Sequence, residues 1–528
     1  MKLKILITIL FSLLIIKESF SQFAPHSFIM TQDREMGKVE ANGTPSNNSI
    51  SDMIIQGDTV WLGTDNGVSV STDRGTSWTN FGGTTTFGSE SVSAIGYNNG
   101  IFWAATAHTT TDNGQDLPTG SGLKYTSDGG KTWISIPQPV DKQSDSIVTY
   151  GINNLRALPV TVDVQNIIYD IAFTPGTIWI ATFAGGLRKS TDMGQTWQRV
   201  VLPPDNLDSI KPTDTLNFCL QPVSGTFCSG DNLNYRVFSV ISTNDSTLYV
   251  GTADGINKST DGGMSWVKFT HTNENNPISG NFVTALGFNQ YDSTVWGATW
   301  QADGSTEFYG VSYSSDGGLN WKTSLSGEKA HNFAFGDSGE VISCTDDGAF
   351  RTKDNGINWV LPNSIIDAST NISLTSPAVY SAAFQGNSVW VGTSDGLARI
   401  DENSSGNMWS GTWKVFYASQ PVSSKSQSYA FPNPFDPRTD ILKIKYSTGG
   451  QSVPVTIRIF NFSMNIVRTV IENAQRGNPS HLVDNSNGVI DYWDGKDANG
   501  NIVPNGVYFY RVDAGSNAPV YGKILVVQ

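Results

Sequence analysis

The chain has 528 residues, with 33 Lys+Arg against 47 Asp+Glu for a formal charge of −14, and only 15% of its residues are charged. That balance offers no basic footprint for a nucleic-acid backbone or an anionic membrane, so polyanion partners are not expected. The 53 Gly, 15 Trp, 17 Tyr and 26 Phe, with no bias toward helix formers, describe a β-rich chain punctuated by turns.

Residues 1–21 begin Met1-Lys-Leu-Lys4, continue through an apolar run from Ile5 to Ile16 and end at Phe20-Ser21. A basic start, a short apolar core and small residues at the exit predict a secretory leader cleaved after Ser21. The run is shorter than the ~20 residues that span hydrocarbon, so the mature chain is expected to lack a transmembrane segment and to be secreted or held at the outer membrane or cell surface. Residues 22–49 then form an N-terminal extension.

From residue 50 the sequence repeats. Six segments carry Ser/Thr-x-Asp-x-Gly-x-polar-Trp, with the acid at Asp73, Asp128, Asp192, Asp261, Asp316 and Asp354 and the indole at Trp78, Trp133, Trp197, Trp266, Trp321 and Trp359. A second signature precedes each: Trp61-Leu-Gly-Thr64, Trp103-Ala-Ala-Thr106, Trp179-Ile-Ala-Thr182, Tyr249-Val-Gly-Thr252, Trp296-Gly-Ala-Thr299 and Ile342-Ser-Cys-Thr345. A seventh copy, Trp390-Val-Gly-Thr393, lacks the Asp pattern, and its closing strand is expected from Trp413. Each unit reads as four short strands separated by Gly/Asn/Asp turns, so residues 50–417 predict a seven-bladed β-propeller. The repeated Asp suits a turn whose backbone N–H groups it accepts, the Gly a positive φ, and the Trp a wedge between sheets, all structural roles.

This pattern resembles the Asp-box, or BNR, repeat of sialidases, sortilin ectodomains, xyloglucanases and photosystem assembly propellers. The sialidase version is disfavoured, because that resemblance implies an arginine clamp and an Arg-Ile-Pro-like opening strand that the chain does not carry. Cys219 and Cys228 bound a short Pro/Gly-containing segment, where a disulfide or two independent thiols are both open readings. Cys344 lies in an apolar strand and reads as a buried, unreactive thiol.

Connections at one end of a propeller alternate with those at the other, and the long ones share one topological class. They are residues 107–121 and 300–309 within blades, and 137–165, 202–234 and 362–377 between blades, so all are expected to converge on the face opposite the Asp boxes. That face offers His108, Asp112, Trp300, Asp303, Glu307, Phe308 and Tyr309 as candidate binding residues, aromatics beside carboxylates suiting a glycan or an extracellular protein. No catalytic residue, metal-ligand set or cofactor motif is identified.

Residues 418–428 read as a linker and 429–528 as a second domain, with strands that fit a small sandwich. The segments Pro432-Asn-Pro-Phe435, Ile457-Arg-Ile-Phe-Asn461, Asp491-Tyr-Trp-Asp-Gly495, Pro504-Asn-Gly-Val-Tyr508 and Gly522-Lys-Ile-Leu-Val526 resemble the Ig-like module related to the flagellar hook-capping protein. They also resemble the C-terminal sorting domain of the Bacteroidetes-type type IX secretion system. The resemblance implies export by that machinery as a partner. The run Asp494–Asn501 has two readings, a pair of hairpin turns or a calcium site, though its spacing is not that of an EF-hand. The sequence therefore predicts an all-β secreted recognition or scaffold protein, a seven-bladed β-propeller followed by a small Ig-like β-sandwich. A xyloglucanase-like glycoside hydrolase is the alternative.

Overall fold

The computed structural model describes residues 44–112, 114–223, 227–230, 232–302, 304–368, 372–418, 428–438, 440–477 and 489–528. The leader, most of the N-terminal extension, Asp303 and linker residues 419–427 lie outside the described residues.

Seven sheets follow one another along the chain, each an antiparallel meander. The first is Ile50–Gln56, Thr59–Thr64, Gly67–Ser71 and Thr79–Asn80. The first strands of successive sheets touch in turn, and Val379–Gln385 of the seventh touches Ile50–Gln56 of the first. The result is a propeller-like arrangement. Second strands such as Val341–Thr345 are buried along their whole length because both of their faces pack against neighbouring sheets.

The two sequence signatures meet. The box Trp of each sheet packs on the aromatic that opens the second strand of the preceding sheet: Trp133 on Trp61 at 6.3 Å, Trp359 on Trp296 at 6.2 Å, and Trp78 of the first sheet on Trp390 of the seventh at 6.5 Å. Trp266 and Trp179 share one core cluster in the same way. The box glycine has two reasons to be glycine. Gly75 has φ +81, and a Cβ there would lie 2.8 Å from Trp390.

Each box Asp is occupied within its own turn. Asp192 accepts the Ser190 hydroxyl at 2.7 Å, the Thr196 N–H at 2.9 Å and the Thr196 hydroxyl at 2.6 Å. These bonds, the Thr196 hydroxyl first, hold its carboxyl down at about 2.

Three features depart from the sequence reading. The sixth sheet has only Ala330–Phe335, Val341–Thr345 and Gly348–Thr352, and its expected fourth strand shrinks to one bridge between Arg351 and Val360. Residues 107–121 are not a loop, since Ile101–Asp112 and Gln115–Thr126 continue pairing as an extended hairpin. The insertions also do not all converge on one face. Asn153–Ala157 pairs with Ile147–Tyr150 and with Cys219–Leu220, while Ser209–Ile210 adds a fifth strand to the outer edge of the fourth sheet. The Tyr150 hydroxyl reaches the Met264 carbonyl, in an Asp-box turn, at 2.7 Å. Ser209–Ile210 finds the unpaired edge of the fourth sheet, and the other three strands pair with one another as a small separate sheet, which topology alone does not reveal. Cys219 and Cys228 are bonded inside this annex.

A small β-sandwich follows. Its sheets are Ser428–Phe431/Leu442–Tyr446/Val489–Trp493 and Ile466–Arg476/Val453–Phe460/Gly506–Ala514/Val520–Val526. Ile444, Tyr446, Ile457, Ile459, Trp493 and Tyr510 fill the space between them. The other face of the three-stranded sheet is covered by the propeller: Lys443, with its side chain 2% exposed, reaches Asp395 at 2.7 Å, and the Ser373 N–H donates to the Tyr492 hydroxyl at 3.3 Å. The Asp497 carboxylate accepts the N–H groups of Asn499 and Asn501, both at 2.9 Å, as a turn would require.

Candidate functional site

The first two strands of every sheet pair with a one-residue bulge at the same register. A bulge inserts an unpaired residue and re-aims its side chain. The seven residues so placed are Ser51, Ser93, Tyr169, Phe238, Thr284, His331 and Tyr380. All but Tyr380 line a central cavity of about 400 Å3 that runs between the first strands.

The bulges fall near the starts of first strands, at the end of the molecule that carries the in-blade insertions. There the rings form an arc across five sheets. Tyr169 lies 5.7 Å from Phe238, which lies 4.7 Å from Phe282; Trp300 follows at 6.2 Å, His331 at 5.6 Å and Tyr380 at 5.3 Å. Phe183 and Tyr309 branch from it, half-buried, at 6.0 Å from Phe238 and 6.1 Å from Trp300. Ser51 and Ser93 leave the first two sheets without bulk.

Charge is placed around the arc. The Lys329 ammonium lies over the rings of Tyr309 at 4.9 Å and Trp300 at 5.8 Å. His331 Nε2 is 2.7 Å from Asp346 Oδ1, and the Asp346 side chain is 42% exposed. Burial pushes the Tyr380 hydroxyl far up, with Asp346 and Asp65 adding to the shift, so these two carboxylates act on one phenol from the sixth and first sheets. Burial likewise raises Asp254 to about 6, against the opposing pull of Lys268 at 2.6 Å. Deeper in the channel, Asp52 and Asp170 face the cavity.

The residues singled out from sequence fare differently. Trp300 and Tyr309 come together, but Trp300 is buried with its indole N–H given to the Ala330 carbonyl at 2.8 Å, so its face is core rather than an open platform. Glu307 is also buried, and its carboxylate accepts the N–H groups of Ala302 at 2.7 Å and Asn281 at 3.2 Å, shaping the loop from within. The Phe308 N–H is held by the Ser279 carbonyl at 2.9 Å, with its side chain half-buried. His108 and Asp112 are exposed on the extended hairpin of the second sheet, the imidazole held by the Ser121 hydroxyl at 2.8 Å. Sequence reasoning missed Tyr169, Phe238, Lys329, His331, Asp346 and Tyr380. Aligning the seven first strands would have exposed four of them, because Tyr169, Phe238, His331 and Tyr380 share one register.

No family model matches the chain. Xyloglucanase Xgh74A of Acetivibrio thermocellus is 26% identical over 215 residues, which is 36% of this chain and 22% of that protein. Among solved structures, an ancestral GH74 enzyme aligns with 91% of this chain and 62% of its own, at 17% identity and a TM-score of 0.50. PorZ, a bacterial surface component of the type-IX secretion system of Porphyromonas gingivalis, aligns with 91% of this chain and 66% of its own, at 16% identity and a TM-score of 0.39. The chain thus spans less than two thirds of each, and at these identities the structural likenesses concern the fold. No helix among the described residues is long and apolar enough to cross a membrane.

Proposed function

We propose that this chain is a secreted or surface-held protein that binds a polysaccharide of the xyloglucan class along the aromatic arc. In this reading the seven sheets form a closed seven-bladed propeller, and the sandwich is an Ig-like module that serves export by a type IX-type machinery. The observation that carries it is the unbroken line of rings from Tyr169 to Tyr380, edged by Lys329 and the half-buried Tyr309. Aromatic rings stack on the apolar faces of sugars; Phe238, Phe282, Trp300, His331 and Tyr380 are buried and form the floor of the arc, so the half-buried Tyr169, Phe183 and Tyr309 are the rings offered to a linear polymer. The match to a xyloglucanase supports the choice of polymer.

A second reading, hydrolysis, is favoured by the match to a xyloglucanase, with Asp65 and Asp346, whose charges act on Tyr380 from the first and sixth sheets, as the candidate carboxylates. Affinity electrophoresis of the purified chain in xyloglucan gels, paired with chromatography of released oligosaccharides, separates the two. Retardation lost in Tyr309→Ala without product release supports binding. Product release abolished by both Asp346→Asn and Asp65→Asn establishes hydrolysis. Migration unaffected by xyloglucan and other β-glucans refutes the glycan reading.

A further inference from the structure

The hairpin that joins Val453–Phe460 to Ile466–Arg476 ends in a tight turn, Asn461 to Asn465. The Asn461 N–H donates to the Asn465 carbonyl at 3.0 Å, the Met464 N–H to the Asn461 carbonyl at 2.9 Å, and the Asn465 N–H to the Asn461 side chain at 3.0 Å. This closed turn holds three large apolar side chains in water: Phe462 is 74% exposed, Met464 53% and Ile466 59%. Nothing in the sandwich requires them there, since its core is filled by other residues. Phe462 continues onto the outward face of the four-stranded sheet through Phe509, 6.4 Å away, which pairs with Phe460.

Cations border this apolar tip. Arg458, Arg468, Arg511 and Lys523 lie on the same strands; Arg458 pairs with Glu472 and Asp513, Arg511 with Asp513, and Arg468 donates to the Asp497 carbonyl at 3.1 Å, which leaves a small excess of cations beside the tip. The segment 441–471 contains no Asp or Glu, in a chain whose overall charge is −14. Residues 428–528 carry nine Lys+Arg and eight Asp+Glu, whereas the rest of the chain carries 24 and 39. The whole-chain balance therefore hides one near-neutral end with a locally basic border. Since the three-stranded sheet is the one covered by the propeller, the tip belongs to the sheet left open.

We propose that this hairpin tip is a lipid-contact site that inserts Phe462, Met464 and Ile466 into the interface of an anionic membrane. Side chains more than half exposed on a rigid apex need no matching pocket, which a fluid interface does not supply and a protein partner would. Apolar burial supplies the attraction and the flanking cations add to it at an anionic surface. Repulsion of the acidic propeller from the same surface favours contact through the sandwich alone. This site is separate from the aromatic arc and does not depend on the glycan reading.

The test is co-sedimentation of the mature chain with vesicles of phosphatidylcholine alone and of phosphatidylcholine with phosphatidylglycerol, at low and high salt. Binding to the anionic vesicles is expected, reduced by salt. The triple variant Phe462→Ser/Met464→Ser/Ile466→Ser should lower the bound fraction at least about tenfold. Phe462→Leu/Met464→Leu, which keeps apolar bulk, should retain binding, and unchanged melting of both variants guards against misfolding. Absence of sedimentation with either vesicle, or binding by the triple variant equal to the parent, overturns the proposal.

Discussion

Asp52 stands in the wall of the central channel, where Oδ1 accepts the Met53 N–H at 2.8 Å and the Asn332 side-chain N–H at 3.1 Å. Burial raises its carboxyl from 3.8 to about 7, with the charge of Asp170 contributing and the two hydrogen bonds opposing. An acid whose folded pKa is raised binds its proton more tightly in the native state. Its stabilising effect is complete below about pH 4, declines as the pH rises toward 7, and is lost above that. Three pKa units correspond to about 4 kcal/mol, and the partial exposure of the Asp52 side chain reduces this to ~2–4 kcal/mol. Asn at position 52 keeps the shape and the acceptor but cannot ionise. Asp52→Asn should therefore be more stable than the parent by ~2 kcal/mol or more at pH 8 and equal to it within ~0.5 kcal/mol at pH 4, as measured by urea unfolding. A variant that is no more stable than the parent at pH 8 would refute the reasoning.

Trp266→Ala, which empties a fully buried site between the third and fourth sheets, should cost ~3–5 kcal/mol, whereas Trp197→Ala, at a half-buried box indole, should cost less; denaturation midpoints compare them. Reducing the Cys219–Cys228 bond, which closes a nine-residue separation, should destabilise the annex on the third and fourth sheets by ~2–3 kcal/mol. Amide exchange should then accelerate around residues 209–220 and leave the first sheet unchanged.

The repeat architecture was readable because each unit states it twice, once in Trp/Tyr-x-Gly/Ala-Thr and once in the Asp turn. What neither signature states is that the two belong to neighbouring sheets, so Trp78 and Trp390, far apart in sequence, become one contact. The site was less legible. Trp300 and Glu307 have the residue types of a binding rim, yet both turn inward, Trp300 because its indole N–H finds the Ala330 carbonyl and Glu307 because two backbone N–H groups need an acceptor. His331 and Tyr380 were overlooked because they lie within strands. Only the bulge, invisible in a single strand, takes them out of the alternating pattern.

Those bulges separate architecture from chemistry. A residue in register cannot change without disturbing a ladder or an inter-sheet contact, but the bulged residue of each sheet stands outside the ladder register, and six of the seven line the common cavity. Ser, Tyr, Phe, Thr and His already occupy that one position in different sheets of this chain. The scaffold thus carries one variable setting per sheet around one axis, and rewriting the half-buried Ser93 as an aromatic would extend the arc toward the second sheet while leaving the ladders beneath it intact.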